Sequence, residues 1–96
     1  MTTMLTYRND ERGVYSTLKL DSGEKIFISM GEDGLKIFKQ GFFRLPTGII
    51  WSSKDPQVLI DTFGDGKTVA LRGFLDEAIV KIGACKNISE IKEILR

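Results

Sequence analysis

The sequence predicts an α+β fold: a small curved antiparallel sheet or a partly open SH3-like barrel of four or five strands, followed by two or three C-terminal helices. Two observations predict this fold. Residues 14–39 form three runs of alternating apolar and polar residues joined by glycine-bearing turns, which is typical of β-hairpins. Residues 56–95 instead carry apolar residues at a helical spacing. Because the strands precede the helices, the helices should form a layer against the sheet.

The first hairpin is predicted to turn at a three-residue loop, residues 21–23. Gly23 takes the left-handed position of a bulged turn, which only glycine adopts without steric cost. This loop places Leu18 opposite Ile26. A shorter loop would put charged and apolar residues on both faces, which a half-buried sheet resists.

The second turn, residues 31–34, is predicted as a four-residue loop that places Ile28 opposite Ile37 and Phe27 opposite Phe38. One face of the predicted sheet is then continuously apolar. This face is predicted to form the inner wall of the core, and it consists of Leu18, Leu20, Ile26, Ile28, Met30, Leu35 and Ile37.

The ends of the sheet are less well marked. Residues 4–7 fit either a further short strand or a frayed terminus, and both alternatives stay open. Pro46 and Gly48 predict a turn between a short strand before them and a stronger one at residues 49–52. Trp51 lies beside isoleucines on this strand and is predicted to pack into the core.

Three helices are predicted, over residues 56–63, 68–83 and 88–95. Asp55 precedes a proline, so it can cap the first helix. Asn87 begins a capping-box pattern at the start of the last helix. For the middle segment we favour one helix, although a rival interpretation makes residues 67–71 a strand and begins the helix after Gly73.

The second face of the predicted sheet combines aromatic residues with lysines and carries no acidic residue: Tyr15, Phe27, Phe38, Lys19, Lys25 and Lys36. Two interpretations compete. In the first, which we favour, the helices cover the rings and the lysines lie at the rim of the covered surface. In the second, the rings stack on the bases of single-stranded nucleic acid while the lysines contact its phosphates.

Length and composition limit the possible classes of function. The 96 residues suit one domain, residues 1–96. The net charge of +1 provides no chain-wide attraction to a polyanion, so nucleic acid would need a local basic patch. The start of the chain lacks a secretory pattern and no apolar run has membrane-spanning length, so we expect a cytoplasmic protein with no membrane partner.

Residues that carry catalytic or metal chemistry are scarce. The chain has one cysteine, Cys85, and no histidine, so no intramolecular disulfide forms and a zinc site of cysteines and histidines is excluded. We expect no catalytic residue, no cofactor and no metal ligand. Cys85 is predicted to be a small buried residue rather than a redox centre.

One further surface stands out on the predicted middle helix. Val69, Gly73 and Val80 fall on the side opposite its main apolar arc, where a surface helix normally shows polar residues. This helix contact strip would receive either the terminal helix or a second chain, and we favour the terminal helix.

Three hypotheses of function follow from these patterns. The leading one is a noncatalytic interaction module that binds a protein partner or itself, because catalytic residue types are scarce and apolar surface is in excess. The alternative is single-stranded nucleic-acid binding through the face that carries Phe27. The third is an enzyme that uses carboxylates.

Overall fold

The chain forms an antiparallel sheet followed by three helices. The computed structural model describes residues 2–11, 13–40, 46–64 and 71–95. The sheet has the strand order β1-β2-β3-β4-β5 and is not closed into a barrel. Its strands are β1 (Thr3–Asp10), β2 (Gly13–Lys19), β3 (Lys25–Gly31), β4 (Gly34–Gln40) and β5 (Pro46–Ser53). The helices are α1 (Pro56–Phe63), α2 (Leu71–Gly83) and α3 (Ile88–Ile94). The predicted α+β class is confirmed, in its open-sheet form.

The registers of the two central hairpins agree with the prediction. Leu18 pairs with Ile26 in the first hairpin, and Ile28 pairs with Ile37 in the second. Gly23 has a φ of 90°, the left-handed conformation that the first turn requires. Period-two alternation and the position of the glycines were therefore enough to set the register.

The two outer strands depart from the simplest prediction. β1 is an eight-residue strand, and its pairing with β2 shifts between Met4 and Thr6. The turn predicted at Pro46 and Gly48 is wrong, because both residues lie within β5. A proline is tolerated in an edge strand, and register shifts in the β4–β5 pairing accommodate this irregular segment. The short strand predicted before Pro46 falls in residues 41–45, outside the described residues.

The core lies between one face of the sheet and the helices. We call this side of the sheet the core face, and α2 crosses it over β2 and β3. The predicted wall of the core is fully buried, and Leu59, Leu75, Ala78, Ile82 and Ile91 cover it from the helices. Trp51 packs against the same core, with its ring 5.5 Å from that of Phe63 in an edge-to-face arrangement.

The helix boundaries follow local capping chemistry. The Asp55 carboxylate accepts a hydrogen bond from the Gln57 amide at 2.9 Å, as predicted for an N-cap. Asn87 accepts from the Glu90 amide at 2.9 Å and caps α3. Since Leu71 already lies in α2, the rival interpretation that starts this helix after Gly73 is wrong. Residues 67–70 lie outside the described part of the chain.

Within the described ranges, no helix has both the length and the apolar character that a bilayer crossing requires.

Candidate functional site: the outer face of the sheet

The side of the sheet opposite the core is the candidate site, and we call it the outer face. Its side chains alternate along β2, β3 and β4 with those of the core face: Tyr15, Thr17, Lys19, Lys25, Phe27, Ser29, Lys36 and Phe38. All six residues of the predicted aromatic and basic face thus lie on one side of the sheet.

The expectation that the helices cover Phe27 is wrong. The three helices contribute their buried residues to the core face, where Ile26 and Ile28 flank Phe27 in sequence but point the opposite way. Phe27 and Phe38 are only half-buried and do not belong to the core cluster. The physical reason is that the core face already offers the helices a continuous apolar surface. The three helices pack there, on the opposite side of the sheet from Phe27.

Three aromatic rings form a continuous ladder across the middle of the outer face. The Tyr15 and Phe27 ring centroids are 5.5 Å apart, and those of Phe27 and Phe38 are 6.3 Å apart. Both separations are within the range of favourable aromatic pairs. The ladder continues toward the sheet edge at Ile49, which faces Phe38 and is 61 % exposed.

Arg8 extends the basic character of the outer face onto β1. It lies opposite Tyr15, donates a hydrogen bond from Nη1 to the Tyr15 hydroxyl at 3.3 Å, and has its guanidinium carbon 6.0 Å from the ring centroid. This hydrogen bond raises the pKa of Arg8, whose guanidinium group is charged at physiological pH in any environment. Sequence reasoning missed Arg8, since the predicted first strand ended at residue 7, whereas β1 continues to Asp10.

Two lysines at one end of the outer face are arranged like an anion-binding pair. Lys19 and Lys25 are directly opposite each other in the β2–β3 pairing, and both are exposed. Among the residues that the structure describes, neither forms an ion pair with a carboxylate. Like charges directly opposite each other destabilise a sheet, so an anion bound between them would relieve a repulsion.

Lys36 lies at the other end of the outer face and is tied to a neighbouring turn. Its ammonium is 3.7 Å from the Asp33 carboxylate, which is itself largely exposed. This ion pair is therefore solvent-screened and weak. Lys36 can still contact an external anion.

An open cleft of about 420 Å³ lies beside Tyr15 at this end of the outer face. Tyr15, Ser29 and Lys36 stand in one cross-strand row, with the small Ser29 between the two larger side chains. The glycines at the strand ends, Gly13, Gly31 and Gly34, also line the cleft and add no side-chain bulk. The carboxylates of the adjoining turns complete its rim.

The predicted helix contact strip is only partly described. Val69 lies outside the described residues, and Gly73 lies within α2. Val80 is 73 % exposed, so the terminal helix does not cover this residue of the strip. The reason is that α3 places Ile88 and Ile91 in the main core instead. Val80 lines a second open cleft, of about 380 Å³, with Met4 of β1.

Cys85 is buried, as predicted, and its thiol approaches the Lys81 carbonyl oxygen at 3.8 Å. Burial raises the pKa of this thiol, which lowers the fraction of reactive thiolate. In the described part of the chain no three cysteine or carboxylate residues converge into a metal-binding group.

Comparison with protein-family models, with curated proteins and with solved structures finds no match for this chain.

Proposed function

We propose that this chain is a noncatalytic binding module and that its outer face binds single-stranded nucleic acid. The observation that carries the proposal is the position of the Tyr15–Phe27–Phe38 ladder, which lies on the sheet face away from the helices. Partly exposed rings on an antiparallel sheet provide the planar surface on which successive unpaired bases stack.

The charges around the ladder support a polyanionic ligand. The net charge of the chain is close to zero, but Arg8, Lys19 and Lys25 all lie on the outer face or its edge. No acidic residue stands at an outward position of β2, β3 or β4. A local basic surface with interleaved rings suits a flexible single strand, whose backbone can reach the lysines while its bases reach the rings.

The proposal is tested by the salt dependence of oligonucleotide binding. We expect a labelled oligothymidylate to bind at low salt. Its affinity should fall steeply as salt is added, because binding releases counterions from the phosphates and added salt opposes that release. A Lys19→Gln/Lys25→Gln double variant should reduce the slope of log affinity against log salt by about 1.4, since each phosphate contact on a single strand contributes about 0.7. The measurement is fluorescence anisotropy over a series of salt concentrations.

The matched control removes the same charge from the helical side. Lys86 and Lys92 are exposed and lie before and within α3, so the Lys86→Gln/Lys92→Gln double variant should leave the slope unchanged. An equal reduction of the salt slope in the two double variants would mean that binding depends on net charge alone. This result would contradict a site on the outer face.

Self-association is a second candidate function, because the cleft lined by Met4 and Val80 adjoins the edge strand β1. Met4 of β1 and Val80 of α2 line this cleft and are 47 % and 73 % exposed. β1 stands at the edge of the sheet, where an identical strand from a second copy would continue the hydrogen-bonded ladder. The proposed occupant is therefore a second copy of this chain.

Sedimentation equilibrium of the wild type and Val80→Glu tests this candidate. A dimer in the wild type that Val80→Glu dissociates would support it, because a charge in an apolar contact is costly. A monomer at every concentration, or a dimer that Val80→Glu leaves intact, would contradict it.

A further inference from the structure

The cleft beside Tyr15 differs chemically from the rest of the outer face. At the Lys19 end the outward residues are basic. At the Tyr15 end the cleft is lined by the carboxylates of Glu11, Glu32 and Asp33 and by the ammonium group of Lys36, which is already paired with Asp33. Phosphates are repelled by carboxylates and attracted by ammonium groups. A bound strand would therefore place its backbone toward Lys19 and Lys25 and a base toward the cleft.

Shape also favours a base at this position. Ser29 and the glycines at the strand ends leave a depression of about 420 Å³, and the Tyr15 ring forms one of its walls. This volume falls in the range typical of small-ligand sites. A flat aromatic ligand in this depression would contact Tyr15 while its edge points toward the rim.

The rim then decides which base edge fits. Glu11 and Glu32 are exposed and form no ion pair among the described residues, whereas Asp33 is paired with Lys36. An ionised carboxylate only accepts hydrogen bonds, through two adjacent oxygens. Guanine presents two adjacent donors on one edge, its N1–H and its N2 amino group, while thymine presents one.

From this juxtaposition we infer that the cleft is a guanine-selective subsite, in which a carboxylate of Glu11 or Glu32 accepts from the N1–H and N2 amino group of one base. The inference rests on the proposed function and adds the base preference of the same face. In the proposed contact the protein supplies hydrogen-bond acceptors to a base, whereas in a phosphate contact it supplies cations to the backbone.

Three labelled oligothymidylates of about eight nucleotides test the inference by fluorescence anisotropy. One contains a single central guanine, one contains hypoxanthine at that position, and one contains thymine throughout. We expect the guanine strand to bind roughly tenfold tighter than the thymine strand, as for one good two-point base contact. Hypoxanthine lacks the N2 amino group and presents one donor, as thymine does, so it should lose most of the guanine preference.

Two variants locate the preference. Glu11→Gln/Glu32→Gln should abolish the guanine preference without weakening the binding of the thymine strand. Ser29→Leu fills the cleft without changing a charge and should abolish the preference as well. The control, Asp61→Asn/Glu93→Gln, removes two exposed carboxylates from α1 and α3 and should keep the preference.

The outcomes separate the two claims. Binding of all three strands with equal affinity, or a guanine preference that survives in the Glu11→Gln/Glu32→Gln variant, would overturn the inference and leave the proposed function standing. Failure of every strand to bind would overturn both.

Discussion

The Glu24 carboxylate accepts a hydrogen bond from the backbone amide of Ile88 at 3.1 Å, which joins the first hairpin to the start of α3. The same carboxylate also accepts from the Ser22 hydroxyl at 2.8 Å. A second link runs from the Ser22 amide to the Lys86 carbonyl oxygen at 3.0 Å. These contacts lie on the core side of the sheet, so they hold α3 in place without using the outer face.

This contact predicts an acid-sensitive component of stability. The Ile88 amide and, next, the Ser22 hydroxyl lower the pKa of Glu24 in the folded protein. A group whose pKa is lower when folded stabilises the protein above its unfolded pKa, about 4.3 for glutamate, and the contribution is lost as the pH falls through the folded pKa. The melting temperature of the wild type should therefore exceed that of Glu24→Gln at pH 7, and the difference should shrink below about pH 4.

Glu93→Gln is the control for this titration, because Glu93 is exposed on α3. Its melting temperature should follow that of the wild type at every pH. A difference between wild type and Glu24→Gln that stays constant from neutral to acid pH would contradict the role given to the charged carboxylate.

The core face predicts a large penalty at Ile28. This side chain is completely buried in the central strand, so Ile28→Ala should lower the free energy of unfolding by about 2–5 kcal/mol through lost burial and a residual cavity. Val80→Ala, on an exposed position, should stay within about 0.5 kcal/mol. Chemical denaturation measures both values, and a loss below about 0.5 kcal/mol for Ile28→Ala would mean that the two faces are assigned in reverse.

Two glycines with similar backbone conformations predict different costs of substitution. Gly34 has a φ of 86°, and an added Cβ would collide with the Ser53 carbonyl oxygen. Gly23 has a φ of 90°, but nothing lies within 4 Å of such an atom. Gly23→Ala should therefore cost only the left-handed penalty of about 1–2 kcal/mol, and Gly34→Ala should cost clearly more.

Chemical denaturation of these two variants and Gly48→Ala separates the effects. Gly48 has open space around it and no left-handed backbone, so its substitution should be nearly neutral. Equal losses for Gly34→Ala and Gly23→Ala would show that the close approach of β4 to the end of β5 does not constrain the fold.

The burial of Cys85 predicts slow reaction with a thiol reagent at neutral pH. The side chain is 6 % exposed, and its raised pKa leaves little thiolate. Moving the thiol by one residue, in Ala84→Cys/Cys85→Ala, places it on an exposed position and should give rapid labelling. Labelling of the wild type as fast as that of this variant would contradict the burial and revive an enzymatic interpretation.

How much of this fold could be predicted depended on the periodicity of each segment. The pairing of Leu18 with Ile26 and of Ile28 with Ile37 followed from alternation, because a one-residue slip would move every side chain to the wrong face. The strand character of Pro46 was missed, since a proline in an edge strand and a proline in a turn look alike in sequence.

The candidate site was predicted only in part, for a related reason. Phe27 and Phe38 were placed on one face correctly, but alternation does not say which of two apolar faces the helices cover. Arg8 was missed because the predicted first strand ended at residue 7, whereas β1 continues to Asp10. Ile49 was missed because its register follows a shift in the β4–β5 pairing. Such shifts depend on hydrogen bonding between two strands, so the sequence of one strand gives little indication of them.

The central claim, that the outer face binds a ligand, is tested most directly by comparing two half-buried phenylalanines on opposite sides of the sheet. Phe27 belongs to the aromatic ladder, whereas Phe74 packs against the core from α2. The measurement is the affinity of the wild type, Phe27→Ala and Phe74→Ala for a labelled oligothymidylate at low salt, by fluorescence anisotropy, at a temperature where thermal denaturation shows all three folded. We predict that Phe27→Ala loses about 1–3 kcal/mol of binding free energy through lost stacking, while Phe74→Ala binds like the wild type. A wild type that does not bind, or equal losses of affinity in the two variants, would contradict the claim.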